Sequence, residues 1–513
     1  MNRDIVDNYF KTALNNKKKI IFFILFVIII SLSMMSLNNY YHPKMEIAVF
    51  ILILILGTFS ILYYLENKND LHKVAFVIIL CFGLIFAFIT PMFTVPDEFE
   101  HFTRAEITSQ GDFFPAYVHS NANLTSWDGH PQGYKTIQST LDFTNHDGGT
   151  YFTTDLGNKA LNYTPRIYHS AFTQNPFYGY LAQAFGILLT KILDLNAIWM
   201  LWLGRCFNLI LYAGIVAVAV KKAPVLKTPM IVMACLPLSV IHSASMSIDA
   251  LINGLGFLIF AYYLYMIESP DNSLDLKNIA KFSILTILLA FCKVPYLAFI
   301  FLLLFVPKEK FKTPYYYNIL FFAAVTAISV LWSQYYAVPN YSNSFRNDFF
   351  MANNVSLAGQ VTYMSHHLLE AFISIVTIPN HLGELINALF VYSYPPFAYS
   401  SGLLTVIQVL FLGAVIFAYP VKNTIKTRIG VLFTALVVFF GTYVIQLLTW
   451  TPVGDLSNIL GVQVKYFIPL LAMLPFIFSL NNNEISDKIN DTIIISVISI
   501  LASVVMMTTI IFY

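Results

Sequence analysis

A short cluster of acidic and basic residues follows the third apolar run of the chain. The segment Thr94-Val-Pro-Asp-Glu-Phe-Glu-His-Phe-Thr-Arg-Ala105 places Asp97 and Glu98 side by side, directly after a proline that favours a helix start. Asp97, His101 and Arg104 then share one helical face. Adjacent carboxylates can act as a general base or bind a divalent cation such as Mg²⁺ or Mn²⁺. Alternatively, both acids only stabilise the helix N-terminus through its dipole.

Further candidates for substrate binding lie beside apolar segments at what we predict to be the same membrane face. They are Arg205, Asp249, Lys293, Gln463 and Lys465. Ionisable residues close to the membrane interior are energetically costly and tend to be functional. Acidic and basic groups at one face suit a substrate with a phosphate and a reacting hydroxyl. Alternatively, the Arg and Lys side chains reach lipid headgroups and the Asp only caps a helix.

The composition explains why such residues are few. The 513 residues include 29 Lys and Arg and 27 Asp and Glu, so 11% are charged, while 58% are hydrophobic. A soluble domain carries about 25% charged residues. The figures exclude a soluble enzyme, a disordered chain and a nucleic-acid binder, so we predict no nucleic-acid partner. What remains is a helical membrane protein with many spans.

The apolar runs and the basic residues between them predict the topology. About thirteen runs approach the 20 or so residues that cross a bilayer. Basic clusters such as Lys17–Lys19 and Lys221–Lys222 all fall in alternate loops, which places those loops and the N-terminus in the cytoplasm. We therefore expect an all-α polytopic protein with about thirteen transmembrane helices in a lipid bilayer.

The same pattern divides the chain into five parts. These are N-terminal spans with two added helices (1–93), a large extracytoplasmic loop (94–195), a central bundle (196–337), a second extracytoplasmic segment (338–400) and C-terminal spans (401–513). Residues 176–193 are apolar, but a span there would invert the later basic loops. We therefore expect an interfacial helix in the large loop. Lys293-Val-Pro295 is expected to separate two short helices at the outer face.

Several short motifs together resemble a bacterial membrane family, domain of unknown function 2142. In chain order they are Val95-Pro-Asp-Glu-Phe-Glu-His-Phe-Thr-Arg-Ala105 with Gly111, Asn175-Pro-Phe-Tyr178, Gly204-Arg-Cys-Phe-Asn208, Ser245-Met-Ser-Ile-Asp-Ala250, Cys292-Lys-Val-Pro-Tyr296 and Gly461-Val-Gln-Val-Lys-Tyr-Phe-Ile-Pro469. The last motif has Val464 where the family typically has Gly, and Lys465 where it has Arg. Lys cannot make a bidentate fork to phosphate, so the change leaves only a point-charge role there.

That family is similar in layout to GT-C glycosyltransferases, and the similarity implies a function. Such enzymes transfer a sugar from a polyprenyl-phosphate carrier to a cell-surface acceptor outside the bacterial cytoplasmic membrane. By this resemblance Asp97 or Glu98 is the base or holds a metal ion. The residues that would stabilise the phosphate are Arg205, Lys293 and Lys465, with Arg166 as a further candidate.

Two other functions stay open at this point. A non-enzymatic transporter or flippase for lipid-linked glycans needs polar residues through the whole membrane depth, whereas the apolar runs here carry few charges at their centres. A structural subunit of an envelope assembly has no direct support in the sequence. No nucleotide-binding motif is present, which disfavours ATP-driven transport.

Overall fold

The computed structural model describes residues 3–37, 43–122, 124–126, 129–342, 346–422, 424–481 and 485–513. The chain is mostly helical. The first twelve helices are α1 Arg3–Asn15, α2 Lys17–Met34, α3 Pro43–Glu66, α4 Leu71–Ile89, α5 Glu98–Ser109, α6 Gln138–Leu141, α7 Leu181–Ile192, α8 Ile198–Lys222, α9 Lys227–Ala234, α10 Pro237–Ser243, α11 Asp249–Glu268 and α12 Leu276–Cys292. The others are α13 Phe301–Phe305, α14 Tyr316–Trp332, α15 Val338–Ser342, α16 Arg346–Ala352, α17 Leu357–His366, α18 Leu368–Thr377, α19 Leu382–Ala388, α20 Gly402–Ala418, α21 Ile425–Thr449, α22 Ile468–Leu471, α23 Leu474–Phe478 and α24 Asp487–Phe512.

Seven helices of the described residues are long and apolar enough to cross a membrane. They are Pro43–Glu66, Leu71–Ile89, Ile198–Lys222, Asp249–Glu268, Tyr316–Tyr341, Ile425–Thr449 and Asp487–Phe512. An eighth span results if the helices of residues 347–388, which are bent by 107°, count as one. The protein is therefore a multi-span helical membrane protein, but the expected thirteen spans are not confirmed.

Prolines account for part of the difference between thirteen and seven. The apolar run at 229–245 is divided between α9 and α10, and Pro237 begins the second helix. The run at 463–480 is divided into a 3-10 turn at Val464–Phe467 and the short helices α22 and α23, which contain Pro469 and Pro475. Proline has no N–H and clashes with the preceding helical turn, so neither run continues as one long helix.

The structure contains both the short helix expected within residues 176–193 and the helix break expected at Lys293. α7 has 12 residues, which is about 18 Å and too short to cross a bilayer. Its exposed face carries Leu181, Phe185, Leu188 and Ile192. α12 ends before Lys293, and a 3-10 helix Val294–Ile300 follows at once. The break at Lys293 is therefore confirmed.

The expectation of an all-α protein is wrong in the first loop, which contains a small sheet. Its strands are β1 Val118–His119, β2 Thr125–Ser126, β3 Gln132–Ile137 and β4 Pro165–Tyr168, in the order β1-β3-β4-β2. β3 and β4 are antiparallel, with Tyr134 opposite Tyr168, while β2 runs parallel to β4. Strands of two to six residues are too short to show a clear alternation of polar and apolar residues.

The sheet and α7 are fastened to α5 by one buried carboxylate. Glu106 accepts hydrogen bonds from Thr136 Oγ1 of β3 at 2.6 Å and from Lys191 Nζ of α7 at 2.8 Å. α7 in turn lies tightly against α8, because a Cβ at Gly186 would come 2.5 Å from the backbone of Leu203. Glycine therefore permits the close helix contact that positions the loop.

The end of the helix bundle that is opposite to the predicted site carries a cluster of basic residues around Asp491. Asp491 at the start of α24 pairs with Lys19 at 2.7 Å and Lys68 at 2.5 Å, and it accepts a hydrogen bond from Tyr64 at 2.8 Å. The same helices that begin or end there run towards the predicted site at their other ends. α21, for example, starts with basic residues and is about 38 Å long.

Candidate functional site

Six of the ten predicted site residues line one cavity of about 310 Å³. They are Asp97, His101, Asp249, Lys293, Gln463 and Lys465. Their positions in the chain are far apart, but each lies where a helix begins or ends at the same side of the bundle. The cavity is bounded by the start of α5 and α11, the end of α12 and the loop before α22, with α14 and α21 closing the remaining side.

Lys465 connects the acidic residues of the cavity. Its ammonium nitrogen lies 3.2 Å from Asp97 Oδ2, 3.3 Å from Asp249 Oδ2 and 3.3 Å from the carbonyl oxygen of Pro96. Three acceptors thus match the three N–H groups of an ammonium. Burial opposes the charged form of Lys465, which lies outside the seven spans, but the two carboxylates outweigh it and raise its pKa. Lysine at this position therefore holds two carboxylates.

Asp97 is the more accessible carboxylate of this group. Its side chain is 34% exposed, compared with 7% for Asp249. The backbone of Asp97 has φ 66°, so this residue lies in the left-handed region and α5 begins only at Glu98. The two adjacent acids consequently do not continue one helix, and their carboxylates point to different surroundings.

Asp249 and His101 line the same side of the cavity as Asp97. Ser247 Oγ donates to Asp249 Oδ2 at 2.7 Å, and His242 Nδ1 lies 3.6 Å from the same oxygen. His101 Nδ1 is 2.8 Å from the hydroxyl of Tyr180, and its ring packs against Phe172. Ser247 therefore holds the Asp249 carboxylate beside His242, and Tyr180 holds the ring of His101.

Lys293 provides a second lysine side chain at the cavity. Its ammonium lies over the ring of Tyr466, 2.7 Å from the ring centroid. Tyr296 donates a hydrogen bond to the backbone oxygen of Tyr466 at 2.9 Å, which ties the Lys293 segment to the Lys465 segment. Within the described part of the chain, Lys293 forms no salt bridge. Burial lowers the pKa of Lys293, so an anionic ligand beside its nitrogen would favour the charged form.

Glu98 does not line this cavity, because it forms a fully buried pair with Arg205. Arg205 Nε donates to Oε1 at 2.8 Å and Nη2 donates to Oε2 at 2.7 Å. The backbone N–H groups of Met246 and Phe93 donate to the same two oxygens at 3.0 and 3.1 Å. Both carboxylate oxygens of Glu98 thus accept two hydrogen bonds each.

Arg205 is equally committed to the fold. Its remaining N–H groups donate to the backbone oxygens of Ala87, Thr90 and Pro91, at 3.1, 2.7 and 3.2 Å. All five N–H donors of the guanidinium have protein acceptors. The guanidinium of Arg205, a residue of α8, therefore packs against the end of α4 and beside Glu98. It does not lie where a lipid phosphate could reach it.

Asn208, one turn after Arg205 on α8, fixes the segment that leads to Asp249. Its amide nitrogen donates to the backbone oxygens of Ser245 and Ser247 at 2.7 and 2.8 Å. Residues three apart on a helix share a face, so α8 holds the start of α5 and the start of α11 together. The spacing of Arg205 and Asn208 indicates that both side chains lie on one face of α8. The sequence alone does not show which residues they contact.

Arg104 and Arg166, two other predicted residues, also lie outside the cavity. Arg104 is buried, donates to Thr108 Oγ1 at 2.7 Å and to the backbone oxygen of Phe113 at 3.0 Å. Arg166 on β4 donates to Gln138 Oε1 at 2.6 Å and also bonds Thr125. Both guanidinium groups hold residues of the first long loop in place.

The sequence reasoning missed His242, Gln446 and an aromatic wall. Gln446 lies on α21 and is 5% exposed, and within the described structure its Oε1 has no hydrogen-bond partner. The aromatic residues that line the cavity are Phe172, Phe291, Trp332, Tyr341, Trp450 and Tyr466. Phe291, Trp332 and Trp450 stand in or at the end of apolar runs, where nothing in the sequence separates a residue facing a cavity from one facing lipid.

The expected site for a divalent cation between Asp97 and Glu98 does not fit the geometry. Each oxygen of Glu98 already accepts two N–H hydrogen bonds, so this carboxylate has no oxygen to offer a cation. Among the described residues, no three His, Cys, Asp or Glu side chains gather as a metal-binding group. A cation held by Asp97 stays a prediction.

Comparison with known proteins identifies the family. A family model described as "Predicted membrane protein (DUF2142)" matches residues 80–474. Neither the curated proteins nor the solved structures contain a match. The matched region includes every residue of the cavity described above and leaves out α1 to α3, the first half of α4, most of α23 and α24. The chain therefore belongs to the DUF2142 family of predicted membrane proteins.

Proposed function

We propose that this protein is a membrane glycosyltransferase that moves a sugar from a polyprenyl-phosphate donor to a cell-surface acceptor. One observation supports this most directly. An accessible carboxylate, Asp97, and an ammonium with no salt bridge in the described residues, Lys293, line the same cavity. A transfer of this kind needs a base for the acceptor and a cation for the departing phosphate.

The reaction follows from these two groups. The acceptor hydroxyl attacks the anomeric carbon and gives its proton to the carboxylate of Asp97. The new bond joins that carbon to the acceptor oxygen, and the bond to the phosphate oxygen breaks with its electron pair. Lys293 balances the charge that collects on the polyprenyl phosphate. One displacement of this kind inverts the configuration of the anomeric carbon.

The other residues of the cavity then act as positioning residues. Lys465 keeps Asp97 oriented and neutralises the pair of carboxylates, while Asp249 holds Lys465 from the far side. Glu98 and Arg205 hold the start of α5 against α8, so the assignment favours Asp97 over Glu98 as the base. A metal ion at Asp97 would serve the phosphate in addition to Lys293.

The expected topology agrees with a site on the extracytoplasmic side of a bacterial cytoplasmic membrane. The cavity lies at the helix ends opposite to Lys19, Lys68 and Asp491. Basic loops are typical of the cytoplasmic side, so a cytoplasmic N-terminus is part of this proposal. A GT-C-like layout with about thirteen spans belongs to the same proposal.

The test is transfer by the purified protein in nanodiscs, supplied with a radiolabelled polyprenyl-phosphate hexose and an envelope glycan fraction. Asp97→Asn keeps the shape of the side chain and should reduce transfer by about 10²- to 10⁴-fold. Asp455→Asn is the matched control, because Asp455 caps a turn outside the cavity through bonds to Ser457 and Asn458. It should transfer normally.

Two results would overturn the proposal. One is full transfer by Asp97→Asn. The other is rapid movement of the labelled lipid across proteoliposome membranes by the wild-type protein without any transfer, which would establish the flippase alternative.

A further inference from the structure

We infer that the side of the cavity formed by α21 and the loop at residues 461–463 is a sugar subsite that selects a glycosylated lipid phosphate over the bare one. The inference rests on the proposed function and names the group that this side recognises. Two glutamines, Gln446 and Gln463, and the aromatic residue Trp450 form it.

Each of the two amides has an oxygen without a hydrogen-bond partner among the described residues. In the described structure the Oε1 atoms of Gln446 and Gln463 are buried and accept no hydrogen bond. A buried polar atom without a partner is costly, so such atoms at a cavity wall indicate a ligand that supplies the missing bond. Gln446 stands in the mostly apolar second half of α21, a helix that is long enough to span the membrane.

The chemistry of an amide defines the group it meets. An amide offers both an acceptor and two donors, and its orientation is assigned from the surrounding hydrogen bonds. A sugar hydroxyl both donates and accepts, so it satisfies the amide in either orientation. An ionised phosphate diester only accepts, and it is better served by Lys293. The neutral amides therefore fit the sugar and the cation fits the phosphate.

The surroundings of Gln446 support the same ligand. Gly461 has φ 79°, and a Cβ at this position would come 2.9 Å from both Gln446 Oε1 and Trp450 Cγ. Only glycine lets the loop pass so close to the amide and the indole. Trp332 and Phe291 stack face to face at 4.5 Å elsewhere on the wall. Flat aromatic surfaces bury the apolar C–H face of a sugar ring.

The experiment compares two probes: a short-chain isoprenyl phosphate and the same compound carrying one hexose. Binding is followed by tryptophan fluorescence and by calorimetry in nanodiscs. The wild-type protein should bind the hexosyl probe more tightly. Gln446→Leu and Gln463→Leu should each weaken the hexosyl probe by about 5- to 10-fold and leave the bare phosphate unchanged. Unchanged binding of the bare phosphate also shows that the variants are folded.

Gln408→Leu is the matched control. Gln408 is a buried glutamine of another apolar helix, α20, and it accepts a hydrogen bond from Tyr392 away from the cavity. This variant should keep the preference for the hexosyl probe. The inference is overturned if the wild-type protein binds both probes equally, or if Gln446→Leu weakens both equally. Neither readout requires transfer, so failure of the proposed reaction is detected separately.

Discussion

The buried pair of Glu98 and Arg205 gives a sharp prediction about which of two adjacent acids holds the fold. Each oxygen of Glu98 accepts two N–H hydrogen bonds. In Glu98→Gln, one oxygen becomes an NH₂ group, and in either orientation this group faces two donors. The variant therefore loses two of its four hydrogen bonds and also the negative charge beside Arg205.

The magnitude follows from these contacts. Two charge-assisted hydrogen bonds at about 1.5–3 kcal/mol each give a loss of about 3–6 kcal/mol in the free energy of unfolding. Breaking a buried ion pair from one side costs about 3–5 kcal/mol in other proteins, which agrees. Arg205→Met should lose at least as much, because three backbone oxygens lose their donor as well.

The assay is unfolding in mixed detergent micelles, followed by tryptophan fluorescence as the fraction of SDS increases. Asp97→Asn is the control, since its carboxylate is partly exposed, and it should unfold like the wild type. The double variant Glu98→Leu, Arg205→Met removes both charges and should be more stable than either single charge-removing variant. If Glu98→Gln unfolds like the wild type and yet loses transfer as completely as Asp97→Asn, Glu98 takes part in the reaction and the reasoning is wrong.

Three further predictions concern the surroundings of the site. Gly461→Ala should cost about 1–2 kcal/mol for the left-handed backbone, and it should also reduce transfer because the methyl group displaces Gln446; unfolding and transfer are both measured. Lys465→Arg restores the residue of the family motif and should keep part of the transfer, whereas Lys465→Met leaves two carboxylates without a counter-charge and should abolish it. Asn208→Leu leaves the carbonyl at 245 without its donor and the carbonyl at 247 with only the longer bond from Gln183, which costs about 1–3 kcal/mol, and a wild-type unfolding curve would contradict this.

Much of the site could be predicted from the sequence, because topology restricts where scarce charges lie. Sorting loops by basic residues placed Asp97, Asp249, Lys293 and Lys465 at one face, and the structure brings them to one cavity. Only the type and position of each residue were needed for that. The break at Lys293 was also predictable, because Pro295 follows two residues later.

The pairing of the charges could not be predicted. Glu98 and Arg205 are 107 positions apart, and both looked as suitable for substrate as Asp97 and Lys293 did. Which ionisable groups neutralise each other depends on how helices rotate and pack, and the apolar runs of a membrane protein carry little periodicity to reveal that. Gln446 was missed for the same reason, because one amide in an apolar helix has no partner along the chain.

The backbone at Asp97 explains how two neighbouring acids come to do different work. A left-handed conformation costs a residue other than glycine about 1–2 kcal/mol, and strain of this kind persists only where the surroundings enforce it. Glu98 enforces this conformation, because its bonds to Phe93 and Arg205 fix the chain on both sides of Asp97. The strain turns the Asp97 carboxylate away from the buried pair and towards Lys465. The stability of the buried pair thus maintains the strained position of the residue proposed to react, which is why the adjacent acids cannot exchange roles.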